Sequence, residues 1–227
     1  MQDVPVVTID GPSGSGKGTV SRAAAKALGW SLLDSGALYR LVALAGRRSG
    51  IDLGDEPRLA SLAQTLDIEF GSTPSGAEIV RLGGQEVTQD IRTESAGNDA
   101  SKVAALPAVR RALLERQRRF AAPPGLVADG RDMGTVVFPD ARVKIFLTAS
   151  ALERAGRRYK QLKEKGVAAT LAALSTEIAE RDRRDIERTS SPLVASEDAV
   201  LLDSTGMSID AVVERVLQLV RERIRPG

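Results

Sequence analysis

Neither cysteine nor histidine occurs anywhere in the 227 residues. A disulfide framework, a thiolate metal site, a cysteine nucleophile and a histidine base are therefore all excluded. Aromatic residues are scarce, at 3%, which leaves few stacking platforms for single-stranded RNA or DNA. Charge of one sign is not in excess either. Thirty-two Lys and Arg stand against 30 Asp and Glu for a formal net charge of +2, and no nucleic-acid partner is expected. No apolar run is long enough to cross a bilayer, and no basic segment leads into a secretory core, so a cytoplasmic protein without membrane contact is expected. Repeats and low-complexity segments are absent. With 42% hydrophobic residues, the chain can bury one good core and carry an inserted subdomain, which suits a single compact unit and a monomer.

What is present begins with Gly11-Pro12-Ser13-Gly14-Ser15-Gly16-Lys17-Gly18-Thr19. The β-branched run Pro5 to Ile9 before it reads as a buried strand. Val20, Ala23, Ala24, Ala27 and Leu28 after it recur at helical spacing up to a glycine cap at Gly29. Strand, glycine loop and helix in that order make a phosphate cradle. The glycines let backbone N–H groups converge on an anion, the helix adds its positive dipole end, and Lys17 adds a cation for the outer phosphates. The hydroxyl that usually follows the lysine is displaced by Gly18 and arrives at Thr19. This loop looks like that of the nucleoside monophosphate kinases and unlike that of a GTP-driven switch. No Asn-Lys-x-Asp sequence for reading guanine occurs in the chain.

Further short apolar segments, Trp30 to Leu33, Leu126 to Asp129, Val143 to Thr148 and Ala199 to Asp203, alternate with helical patterns. Such alternation predicts a parallel sheet with helices on both faces. Asp10, Asp34, Asp129 and Asp203 fall at the carboxyl ends of its strands, where ligands of such sheets bind. The middle differs. Asp67 to Phe70, a turn over Gly71 to Gly76, Glu78 to Leu82, Gly83-Gly84 and Gln85 to Val87 predict a small inserted antiparallel sheet. Helices are expected over Thr93 to Ala105, Pro107 to Ala121, Ala151 to Lys165 and Thr170 to Arg188. The last puts Arg181, Asp185 and Arg188 on one face, where a solvated face of intrahelical ion pairs is an equally good reading.

Two more segments suggest chemistry. In Asp34-Ser35-Gly36-Ala37-Leu38-Tyr39-Arg40, a carboxylate, a hydroxyl and an arginine can converge on a phosphate, although Asp34 or Ser35 also suits a helix N-cap. In Asp129-Gly130-Arg131-Asp132-Met133-Gly134-Thr135, an apolar strand ends in the carboxylate that a magnesium site facing a phosphate loop requires, unless an Asp-Gly turn with internal ion pairs is all that is there.

Together these three segments resemble the bacterial cytidylate kinases, from the first strand to the final helix. The resemblance implies an α/β P-loop NTPase fold: a five-stranded parallel sheet flanked by helices, with a small antiparallel β insert and a short helical lid. It implies one nucleotide kinase domain over 1–227, with a core at 1–62, 93–150 and 189–227, an acceptor-nucleotide insert at 63–92, and a lid with its arginine helix at 151–188. The implied reaction moves the γ-phosphoryl group of ATP to CMP or dCMP, with Mg²⁺ as cofactor. ATP is assigned to Gly11, Pro12, Ser13, Gly14, Ser15, Gly16, Lys17, Gly18 and Thr19, with Arg157 and Arg158 from a lid arginine cluster that includes Arg154. The acceptor phosphate is assigned to Arg40, Arg131 and Arg188 with Ser35 nearby, cytosine to Ser101, Arg110 and Asp132, and the sugar hydroxyls to Arg181 and Asp185. Lys17, Asp129, Arg131 and Arg188 are the implied catalytic residues. Thr19, Asp34 and Asp129 remain the candidates for magnesium, directly or through water.

The chemistry suits a chain without histidine. A phosphate monoester has a second pKa of about 6, so the attacking oxygen needs no base at neutral pH. Asp132 would accept from the exocyclic amino group of cytosine, whereas uracil would set a carbonyl oxygen against it. Other acceptors sharing the loop, such as UMP, AMP or a small metabolite like shikimate, remain the alternatives. An RNA-binding module built on the arginine helices is disfavoured by the balanced charge.

Overall fold

The structure is a computed structural model, and it describes residues 4–74, 78–164 and 166–224. Backbone contacts divide the chain into two compact units, one running to Asp34 and resuming at Arg118, the other spanning Ser35–Gln117.

The first unit is built on five parallel strands: β1 (Val6–Asp10), β2 (Ser31–Asp34), β6 (Leu126–Gly130), β7 (Val143–Thr148) and β8 (Val200–Asp203), in the order β2-β6-β1-β7-β8. β1 and β6 are buried along their whole length, as central strands covered on both faces must be. Alternation divides the side chains of β1. Val7 and Ile9 join Val127, Val143, Ile145 and Leu147 in a core against α1 (Lys17–Leu28) and α8 (Ile209–Arg223), through Val20, Ala24, Val212, Val216 and Leu219. Each Val, Leu and Ile among them contributes about 1.5–3 kcal/mol by leaving water. Thr8 and Asp10 take the other face, where Thr8 pairs in register with the buried Lys144, whose ammonium reaches Asp198 at 2.9 Å. The remaining helices of this unit are α6 (Ala151–Glu164) and α7 (Leu171–Glu187), which pack on each other. Local chemistry fixes the ends. Gly29 closes α1 at φ 67°, while Thr170 and Ser208 cap α7 and α8 by accepting from Ala173 and Ala211 N–H.

The second unit holds α2 (Ser35–Arg48), α3 (Glu56–Thr65), α4 (Glu94–Val103), most of α5 (Pro107–Arg118) and an antiparallel sheet of β3 (Ile68–Ser72), β4 (Glu78–Leu82) and β5 (Gln85–Glu86). Val80 and Val87 bury against Ala37, Leu41 and Ile91, so the small sheet shares a core with α2. The unit that carries this sheet is thus wider than the expected insert 63–92. Pro107 opens α5 as expected, and Glu56 accepts the next N–H, that of Ala108, at 2.5 Å.

Boundaries shift slightly from expectation. α5 stops at Arg118 rather than Ala121, and Thr93 and Thr170 are caps rather than first residues. The expected Gly71 to Gly76 turn lies partly outside the described residues, as does Lys165. Among the described residues no helix is long and apolar enough to cross a membrane.

Candidate active site

All strands of the parallel sheet end on one edge, and the glycine loop leaves that edge from β1. At Gly11, with φ 149°, an added Cβ would stand 2.0 Å from the carbonyl oxygen of Leu147, so no other residue fits. Gly14 and Gly16 also have positive φ, and Gly16 caps α1 without any side-chain acceptor. No cap side chain therefore competes with an anion for the first-turn amides of α1, of which that of Thr19 already donates to the Gly16 carbonyl at 3.1 Å. Lys17 folds back so that its ammonium donates to the Pro12 carbonyl at 3.2 Å.

Lys17 sits in a charged cluster. Burial pushes its pKa down most, and the Arg131 guanidinium adds to that; Asp129 and Asp185 oppose it, and Arg181 lowers it further. Burial raises the carboxyl of Asp129 above the usual range; Lys17 opposes that rise, Asp34 reinforces it, and Arg131 and Arg22 oppose it. Asp34 and Asp129 are register partners on β2 and β6. Gly18 explains the altered loop. A Cβ there would lie 3.2 Å from Asp129 Oδ2, a tight approach that glycine relieves where the carboxylate lies against the first turn of α1. The other oxygen, Oδ1, is buried without a hydrogen-bond partner. A single orphaned carboxylate oxygen suits Mg²⁺, which keeps waters and substrate phosphates as its other ligands. No cluster of three carboxylates able to hold a metal occurs among the described residues. The Thr19 side of α1 is exposed.

After β6, Arg131 donates from Nε to Asp185 Oδ2 at 2.8 Å and from Nη1 to the Gly130 carbonyl at 3.3 Å. Burial would raise Asp185, but the charge and hydrogen bond of Arg131, with Arg188 and Arg181, hold its carboxyl below the ordinary range. Arg188, at the C-terminal cap of α7, donates from Nε to the Ser191 carbonyl. Lys17, Asp129, Arg131, Arg181, Asp185 and Arg188 are therefore brought together electrostatically. Asp132 is buried at the entry of a π-helical turn, Met133–Val137.

The lid arginines divide. Arg154 is 6% exposed and holds three partners: the Ala149 carbonyl, the Ser13 carbonyl at 3.0 Å and Asp182 Oδ2 at 2.7 Å. Arg157 donates to the Ser15 carbonyl at 3.1 Å and the Ser204 carbonyl at 2.7 Å. Both fasten α6 to the glycine loop, a role the sequence reading missed. Arg158 instead meets Gln161 one turn along its own helix.

Four expected residues belong to the other unit. Ser35 is buried at the start of α2. Arg40, half-buried on the same helix, lines a cleft of about 200 Å³ with Arg47, Asp90 and Asp99. Ser101 is buried on α4, its Oγ lacking a hydrogen-bond partner. Arg110 donates to the Ala104 carbonyl at 3.1 Å, with its guanidinium carbon 5.5 Å from the Tyr39 ring centre.

A family model described as Cytidylate kinase matches residues 7–222. A cytidylate kinase of Stutzerimonas stutzeri is 58% identical over 228 residues, covering 100% of both chains. One from Azotobacter vinelandii is 59% identical, covering 98% of this chain and 97% of its own. One from Pseudomonas aeruginosa is 60% identical, covering 95% and 94%.

Proposed function

This chain belongs to the cytidylate kinase family, and on that premise we propose that it moves the γ-phosphoryl group of ATP to CMP or dCMP, releasing ADP and CDP or dCDP. The observation that carries this reading is the gathering of Lys17, Asp129, Arg131 and Asp185 into one charge cluster at a strand-loop-helix cradle.

The loop amides and Lys17 hold the β and γ phosphates of ATP. Their negative charge favours the ammonium form that burial and Arg131 disfavour in the free protein. Asp129 would hold Mg²⁺, with Asp34 and Thr19 contributing through water. When bound, Mg²⁺ neutralises charge developing on the transferred group. Arg131 and Arg188 grip the acceptor phosphate, while Asp185 and Arg181 take the sugar hydroxyls. The 2.8 Å bond from Arg131 to Asp185 ties those two tasks together, so phosphate and sugar are oriented as one. Asp132 accepts from the cytosine amino group. Ser35, Arg40, Ser101 and Arg110 are assigned to the acceptor as well, and Arg157 and Arg158 to ATP. No side chain need remove a proton, because the acceptor oxygen is already ionised. The reading includes a monomer working in the cytoplasm on free nucleotides, without nucleic acid.

An acceptor panel tests it. With ATP as donor, ADP release should be fastest with CMP and dCMP, slow with UMP and AMP, and abolished by a chelator of Mg²⁺. Equal turnover of UMP would remove the role given to Asp132.

A further inference from the structure

Asp132 owes its setting to a turn that is clamped at both ends. Val137 N–H donates to the Asp132 carbonyl at 3.2 Å and Phe138 N–H to the Met133 carbonyl at 2.7 Å, each spanning five residues. Such π-helical turns are rare and concentrate at functional sites. A turn of this kind leaves its first amides and last carbonyls without internal partners. Asp10 supplies the first set: Oδ1 accepts from Met133 N–H at 2.9 Å and Oδ2 from Gly134 N–H at 2.8 Å. Arg118 supplies the second, donating from Nε to the Val137 carbonyl at 3.2 Å and from a terminal nitrogen to Val136 at 3.5 Å. Gly134 seats the turn directly on the sheet. A Cβ there would stand 2.8 Å from Thr8 Oγ1 and 3.2 Å from the Lys144 stem.

We propose that Asp10 and Arg118 are positioning residues for acceptor specificity: by clamping the two ends of the Met133–Val137 turn, they aim the Asp132 carboxylate at the base. The inference rests on Asp132 reading cytosine. Asp132 has little freedom once both clamps are closed. Its carbonyl takes the Val136 and Val137 amides, the next amide is held by Asp10, and the preceding residue, Arg131, donates to Asp185. Neither clamp touches the glycine loop amides or Lys17 in any hydrogen bond described above. Loosening either one should therefore reach the acceptor and spare the donor.

The test measures kcat and KM for CMP, UMP and ATP in the full-length wild type and in Asp10→Asn, Arg118→Ala, Arg118→Lys and Asp132→Ala. Asn keeps one acceptor oxygen but faces the second amide with an NH₂ group. The ratio of kcat/KM for CMP over UMP should fall about tenfold in Asp10→Asn and Arg118→Ala, chiefly through KM for CMP, with KM for ATP within about twofold of wild type. Arg118→Lys, which keeps one donor, should recover part of the ratio. A role in stability alone would move all substrates together, leave the ratio intact and overturn the proposal. If Asp10→Asn does not fold, the Arg118 pair decides alone. If the wild type does not prefer CMP, or Asp132→Ala leaves the preference intact, the reading of Asp132 falls and takes this inference with it. If Asp132→Ala abolishes the preference while Arg118→Ala keeps it, only this inference fails.

Discussion

Single residues in this chain are governed by where burial leaves their charge. Asp10 is the plainest case. Burial raises its carboxyl to about 7; the two amides it accepts from, Gly134 and Met133, pull it back only in part, and Asp132 and Asp129 add to the rise. Its proton is thus held in the folded state and lost in the unfolded state between about pH 4 and 7. Where the folded state binds the extra proton, stability falls as pH rises. The stability of wild type relative to Asp10→Asn should therefore decline from pH 4 to 7 and level off above, by chemical denaturation at each pH. A difference that grows with pH would reverse the sign. At this scale the sequence was most legible in the loop, because Gly11, Lys17 and Gly18 lie within one short segment. Asp10 could be placed at a strand end, but its partners lie 123 and 124 residues away, and no local pattern reports them.

Among the elements, the parallel strands were the easiest to read, since β1 and β6 are short, buried and rich in Val, Ile, Leu or Ala up to an Asp at or next to their carboxyl ends. Helix α3 was not among the expected helices. Only Leu59 and Ala63 are buried in its ten residues, so its apolar stripe is faint. The π-helical turn had no signal in spacing, because the groups that hold its two ends, Asp10 and Arg118, lie far from it in sequence or outside any local pattern. The expected lid arginines also carry a structural duty that composition conceals. Arg154 joins α6, α7 and the glycine loop, and its pair with Asp182 is nearly closed to solvent on the arginine side. Arg154→Ala leaves Asp182 without its partner at a cost of about 3 kcal/mol. The unfolding temperature should drop by roughly 6–12 °C, at about 2–4 °C per kcal/mol for a chain of this size. A change of less than 2 °C or so would mean that the three bonds of Arg154 contribute little.

For the whole molecule, absence proved as informative as motif. A chain with no histidine and no cysteine can do phosphoryl transfer because the acceptor arrives ionised and the work is positioning and charge neutralisation. The sequence conveyed which residue types stood at which strand ends. It could not convey that Arg131 and Asp185, 54 residues apart, would bond, or that Asp129 would lie against Gly18. Those are tertiary facts, and they turn separate motifs into a charge cluster. On the function proposed, this cluster passes a phosphoryl group from ATP to a cytidine monophosphate. The direct measurement follows the label from γ-labelled ATP in the presence of CMP, in wild type and in Lys17→Ala. Label should appear in the β-phosphate of CDP, with the rate in Lys17→Ala down by orders of magnitude and its fold intact by circular dichroism. Label released as inorganic phosphate regardless of CMP, or undiminished transfer in Lys17→Ala, would contradict the account.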